Sequence, residues 1–224
     1  MDQTNFSIAI DGPSGAGKST LAKLMAKELG IEYVDTGAMY RALAYRISES
    51  GMEPKEGPEL KKLLEETSID FSDGKIFLDG LDVSDRIRTQ EISKLASDIS
   101  AFGSVREKLA SEQRELGKKK SVIMDGRDIG TVVLRDIAKL KLYINASPEE
   151  RAKRRRLELS KKGDERSLEQ VLKEINERDY NDSHRAISPL RKAEDAIELD
   201  TTAMDIDTVL KESLRLVNER RKEC

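Results

Sequence analysis

The sequence has no tryptophan, one histidine and one cysteine, and aromatic residues make up 4% of its 224 positions. Its cysteine, Cys224, is the last residue, so neither a disulfide nor a Cys/His metal site can be built within the chain. With His184 the only imidazole, Ser-His-Asp and His-metal chemistries lack raw material, and a surface position is its expected place. No apolar run approaches the roughly 20 residues that span a bilayer. Met1-Asp2-Gln3-Thr4-Asn5 lacks the basic start and apolar core of a signal peptide, so the cytoplasm is the expected compartment. Charge of one sign is not in excess either: 40 Lys and Arg against 43 Asp and Glu leave −3, which argues against a nucleic-acid binder. A local arginine cluster, and with it a small anionic ligand, is still compatible with that balance.

What the chain does have is charge, 37% of its residues, matched by an equal hydrophobic share. That mixture reads as a soluble globular protein rich in amphipathic helices, long enough for one core domain carrying insertions.

Ser7–Asp11 is a short apolar run stopped by Gly12-Pro13. From Lys18 the spacing turns helical (Leu21, Leu24, Met25, Leu29), with Gly30 where a C-cap glycine belongs. Residues 31–34 read as a second strand, and a helix through Ala42, Leu43 and Ile47 stops near Gly51. Strand–helix alternation of this kind predicts an α/β fold with a parallel sheet. The middle differs: a short helix over 58–66 is followed by alternating runs between Ile69 and Val83, broken at Ser72-Asp73-Gly74 and Asp79-Gly80, which predict antiparallel hairpins in an insertion. Helices are expected over 89–101 and 104–116, then parallel strands at 121–125 and 140–144. Ser147-Pro148-Glu149-Glu150 starts a basic helix ending near Lys161-Lys162-Gly163, and Ser167 with Gln170 forms a capping box for the next. A last strand at 196–199 precedes a helix whose apolar face carries Ile206, Val209, Leu210, Leu214 and Val217.

Gly12-Pro13-Ser14-Gly15-Ala16-Gly17-Lys18-Ser19 matches G-x-x-x-x-G-K-[ST] in full, between an apolar strand and an amphipathic helix. Glycines let backbone amides turn toward a polyphosphate, and the helix adds the positive end of its dipole. Lys18 is expected to bridge the β- and γ-phosphates, and Ser19 to hold Mg²⁺. The loop specifies a nucleotide, not a job. With no Asn-Lys-x-Asp guanine motif the GTPase reading weakens, and other polar constellations must decide.

Asp35-Thr36-Gly37-Ala38-Met39-Tyr40-Arg41 opens a helix with an arginine beside it: a second anion site, or a capped surface helix. Asp125-Gly126-Arg127-Asp128 follows a strand, at a carboxyl end of the sheet where open α/β proteins bind ligands, with Asp125 placed for Mg²⁺; the alternative is a polar turn with an internal ion pair. Arg178, Asp182 and Arg185 share one helical face by their i, i+4, i+7 spacing, which on its own favours a solvated charge stripe over a site. Arg151, Arg154, Arg155 and Arg156 form a basic helix, open to reading as solvated, as a nucleic-acid contact or as an arginine lid; beside a phosphate loop the lid fits better.

With these motifs collected, together with Ile-Arg-Thr-Gln-Glu (87–91) and Asp-Gly-Arg-Asp-Ile-Gly-Thr-Val-Val (125–133), the chain resembles the bacterial-type cytidylate kinases from Phe6 to the final helix. The resemblance implies a P-loop kinase with a five-stranded parallel core over about 1–60, 104–147 and 186–224, an NMP-binding insertion over about 61–103, and a helical lid over about 148–170. It implies phosphorylation of CMP and dCMP by ATP with Mg²⁺, by a monomer with no nucleic-acid or membrane partner. Gly12–Thr20 would bind ATP (Thr20 closing the loop), Lys18, Arg127 and Arg178 would be catalytic, Arg151 and Arg155 would serve the lid, and Ser19 with Asp125 the metal. Thr36, Tyr40, Arg41, Ser97, Arg106, Arg127, Asp128, Arg178, Asp182 and Arg185 fall where that family builds its monophosphate site, Arg106 and Asp128 at the base. A kinase of another small acceptor would lack the Arg106–Asp128 pair, whereas a regulatory ATPase would bind ATP and transfer nothing.

Overall fold

Strands of alternating Ile, Val, Leu and Met form the centre of the molecule, in a computed structural model that describes residues 5–72, 74–161 and 163–223. Met1–Thr4, where the N-terminal reading falls, lie outside the described residues, as do Asp73 of the expected turn, Lys162 of the basic run and Cys224. β1 (Ser7–Asp11), β2 (Glu32–Asp35), β6 (Val122–Gly126), β7 (Ala138–Asn145) and β8 (Ile197–Asp200) make one parallel sheet in the order β2-β6-β1-β7-β8. The period-2 alternation of each strand sends Ala9, Val34, Val122 and Met124 to one face. Ile8, Ile10, Ile123, Leu140, Leu142 and Ile144 go to the other.

The first face is covered by α2 (Thr36–Ser50) and α5 (Gly103–Lys119), the second by α1 (Lys18–Leu29) and α8 (Ile206–Glu223). Gly30 and Gly51 close α1 and α2 in the left-handed conformation, as their positions suggested. On α8 the buried residues are Val209, Ser213, Leu216 and Val217, while Ile206 is exposed and Leu210 and Leu214 are half-buried.

The insertion consists of α3 (Pro58–Glu66), a three-stranded antiparallel sheet of β3 (Ile69–Ser72), β4 (Lys75–Leu78) and β5 (Leu81–Asp82), and α4 (Gln90–Ile99). Asp79 and Gly80 both take positive φ, the requirement of a tight two-residue hairpin turn. Ile69, Ile76, Leu78, Val83 and Ile87 belong to the same apolar cluster as Val34 and Leu43, so the insertion is built onto the core. α6 (Pro148–Ser160) and α7 (Leu168–His184) form a hairpin with a small cluster of its own, Ala152, Leu159, Val171 and Ile175. That unit runs past residue 170 to His184. Both expected caps are present: Ser147 accepts from Glu150 N, and Ser167 and Gln170 cap each other's amides.

Candidate active site

The phosphate loop begins where β1 ends. Gly12 leaves the strand at φ 147°, and a Cβ there would lie 2.0 Å from Ile144 O, so only glycine fits. Gly15 and Gly17 also take positive φ, which builds the amide-lined concavity that suits a phosphate. Lys18 is buried, and its Nζ donates to Pro13 O at 2.7 Å. Burial, and then the Arg127 cation, push this ammonium down to about 7; a bound polyanion would favour its charged form. Ser14 is gripped from outside the loop. Its carbonyl accepts from Arg151 Nη1 at 2.9 Å, its N–H donates to Asp179 Oδ1 at 3.3 Å, and Arg151 pairs with Asp179 at 2.6 Å.

Three neighbouring strands carry a carboxylate at or next to their last residue. β1 ends at Asp11, β2 at Asp35, and β6 carries Asp125 beside Asp35 in register. Asp125 Oδ2 accepts from Ser19 Oγ and Oδ1 from Tyr33 Oη, each at 2.7 Å. Burial and then nearby Asp35 raise its pKa. Among the described residues no three His, Cys, Asp or Glu side chains could hold a metal together. Ser19 and Asp125 nevertheless supply two hard oxygens side by side. Mg²⁺ typically takes one or two protein oxygens and completes its shell with phosphate and water, so the donor set fits it. Asp35 caps α2 by accepting from Ala38 N at 2.8 Å and pairs with Arg41 at 3.0 Å. Thr36 Oγ1 donates to Asp125 O at 2.6 Å, so this hydroxyl ties α2 to β6.

Opposite the loop lies a buried charge network. Arg106 pairs with Asp128 and sits over the Tyr40 ring, 5.8 Å from its centroid. Arg127 Nε donates to Asp182 Oδ2 at 2.7 Å, and Arg185 stands 3.7 Å from Asp182 and 3.9 Å from Asp128. Arg178 Nε, Arg106 Nε and Arg185 Nη2 are buried with no hydrogen-bond acceptor among the described residues. Four guanidiniums thus share two carboxylates, a site short of acceptors. Burial and then Arg127 push Arg178 down to about 10. Burial alone would raise Asp182, but Arg127 and Arg178 outweigh it and hold its carboxyl below the ordinary value.

The phosphate loop, Asp125 and this network line one cavity of about 390 Å³, which also takes in Thr36, Tyr40, Arg41, Ser97 and Arg155. The arginines at 106, 127, 178 and 185, far apart in the chain, are therefore in one place. Arg151 is different: it lies buried beneath Ser14, while Arg155 on the next turn of α6 faces the cavity. His184 is exposed and stacks on Tyr180. Asp35, Ser93, Ser100 and Gln113 also line the cavity. Asp35 was legible as a cap before α2. Ser93, Ser100 and Gln113 carry no local signal, because helix packing alone brings them in.

The cytidylate kinase family model matches residues 8–219. The chain is 50% identical to a cytidylate kinase of Caldicellulosiruptor bescii over 215 residues, 94% of this chain and 95% of that protein. It is 47% identical to one of Thermotoga neapolitana, over 97% of this chain and 99% of that protein. Among solved structures, it resembles an uncharacterized protein from Eubacterium ventriosum (TM-score 0.53, 15% identity, 96% and 99% of the two chains). A shikimate kinase from Bacteroides thetaiotaomicron is similar at TM-score 0.50 and 13% identity, over 95% and 98% of the chains. These two likenesses speak for the fold alone.

Proposed function

The chain belongs to the cytidylate kinase family, and on that premise we propose how its cavity carries ATP-dependent phosphorylation of CMP and dCMP to CDP and dCDP. The chain is a phosphotransferase, and the transfer is a single displacement. A phosphate oxygen of the monophosphate forms a bond to the γ-phosphorus as the bond to the β,γ-bridging oxygen breaks, and ADP leaves. The acceptor oxygen is already ionised, so no general base is required. The work is to bring two polyanions into line and to neutralise charge.

In this reading the backbone of Gly12–Thr20 holds the ATP phosphates and Lys18 reaches the β- and γ-oxygens. Arg127 and Arg178 take the charge on the moving group. Arg41, Arg185, Asp182 and the Thr36 hydroxyl hold the acceptor's phosphate and sugar. Tyr40, Ser97, Arg106 and Asp128 surround the base. Arg155 closes over the donor from α6, while Arg151 sets the loop. Ser19 and Asp125 would hold Mg²⁺, which supplies charge neutralisation at the β- and γ-phosphates when bound. The same proposal has the enzyme working as a cytoplasmic monomer on two small nucleotides.

The observation that carries this reading is the buried set of acceptor-less guanidinium atoms of Arg106, Arg178 and Arg185 in the cavity that contains the phosphate loop. A coupled assay of ADP release with CMP, dCMP, UMP, AMP, GMP and shikimate tests it. CMP or dCMP should be the best acceptor. Equal turnover without any acceptor would mark a plain ATPase and overturn the reading.

A further inference from the structure

The chain leaves Asp128 through one turn of π-helix, Ile129–Val133. Val133 N and Leu134 N donate five residues back, to Asp128 O at 3.2 Å and Ile129 O at 2.7 Å. Such turns are rare, and outside partners hold this one at both ends. At its start, Ile129 N and Gly130 N donate to Asp11 Oδ1 at 2.8 Å and Oδ2 at 2.7 Å. At its finish, Arg114 Nε and Nη2 donate to Val133 O at 3.2 Å and Val132 O at 2.6 Å. Asp11 is 4% exposed, and a Cβ on Gly130 would crowd its Oδ2 at 3.2 Å. A buried carboxylate with both oxygens given to two consecutive amides is a rigid, charge-assisted clamp.

The first of those amides belongs to the peptide plane that joins Asp128 to Ile129. Fixing that plane fixes ψ of Asp128, and so the direction in which its side chain meets Arg106 and Arg185. Among the described residues Asp11 gives its hydrogen bonds to the turn's amides and none to the cavity's arginines; the Asp128 and Lys18 charges reach it only through space.

We propose that Asp11 is a positioning residue for base selection: from the end of β1 it clamps the turn that aims Asp128, with Arg114 clamping the other end. This rests on the reading above, in which Asp128 faces the base. Cytosine offers an N4 amino donor to a carboxylate where uracil offers an oxygen, so the aim of that carboxylate sets the preference between them.

The test is kcat/KM for CMP and UMP, with KM for ATP, in Asp11→Asn, Arg114→Gln and Asp128→Ala. Asparagine keeps one acceptor and turns an amide N–H toward a backbone N–H, so one peptide plane must rotate. For Asp11→Asn, KM for CMP should rise roughly tenfold with KM for ATP nearly unmoved, the loss expected for one hydrogen bond to a charged group. The CMP/UMP ratio should fall roughly threefold or more in Asp11→Asn and in Arg114→Gln, which reaches the turn far from the phosphate loop. A rise in KM for ATP with an unchanged ratio would mean that Asp11 serves only the loop, and would overturn the proposal. If Asp128→Ala alone narrows the ratio, the clamp is refuted while the base-reading stands. If Asp128→Ala leaves the ratio unchanged, the base is read elsewhere and the clamp's role in selection falls with it.

Discussion

Asp11 keeps a carboxyl at the buried end of β1. Burial pushes its pKa up from 3.8 to about 6, against the two backbone amides that favour the anion. The folded value therefore exceeds the unfolded one, and between them the native state binds more protons. This group's contribution is fully present below pH 3.8 and is lost as pH rises through about 6, a change of roughly 3 kcal/mol. Asparagine does not titrate. The stability of Asp11→Asn relative to the parent should thus improve between pH 4.5 and 7, read as a growing difference in urea midpoint; a constant difference would refute the linkage. Lys18 lends itself to a kinetic test. Lys18→Ala should leave the circular dichroism spectrum unchanged and cut kcat by about 10² or more, the usual consequence of losing one transition-state charge contact. A folded variant with near-parental kcat would remove Lys18 from the chemistry. Lys18 stands in the Gly12–Ser19 motif and was legible in the sequence as a site residue, whereas Asp11 was legible only as the end of a strand. Arg106 was legible only through resemblance, and Arg185 otherwise only as part of a helical charge stripe, because nothing in their neighbours says that α5 and the end of α7 converge.

At the scale of elements, α6 separates two arginines that sequence alone groups together as lid residues. Ser147-Pro148 predicted where this helix begins, and it begins there; which residue faces what depends on packing against the phosphate loop. Arg151 is locked between Ser14 and Asp179, whereas Arg155 pairs among the described residues only with exposed Glu158, at 3.1 Å. Arg155→Ala should lower kcat tenfold or so with KM for CMP and Tm nearly unchanged, since a lid charge acts on the transferred group. Arg151→Met should lower Tm as well as kcat, because it strands the Asp179 carboxylate; removing one partner of a buried pair costs on the order of 3 kcal/mol. Matching Tm losses in the two variants would refute this division. The π-turn after Asp128 is the element that sequence could not show. Its residues, Ile-Gly-Thr-Val-Val, have no helical pattern, and its shape comes from Asp11 and Arg114, distant in the chain.

At the scale of the whole molecule, the alternation of strands and helices was enough to predict an α/β fold with a parallel sheet, because each strand's burial is written in its own residues, while the count of five strands came with the family resemblance. How the pieces share a core was not, since that depends on which surfaces meet. Ile69, Ile76 and Leu78 of the insertion pack in one cluster with Val34 and Leu43 of the core, which couples the insertion to the sheet. The α6–α7 hairpin holds a separate small cluster and is tied to the loop by Arg151 and Asp179. CMP, held between insertion and core in the proposed site, should therefore stabilise both together. At 100 times Kd the gain is about 2.7 kcal/mol, which for a chain of this size corresponds to a Tm rise of roughly 5–10 °C. Calorimetry with and without CMP should show one main transition that moves as a whole, and hydrogen exchange over 148–170 should remain faster than over the sheet. Two resolved transitions, with only the lower one moved by CMP, would mean that the insertion folds on its own and that the shared cluster does not couple it to the sheet.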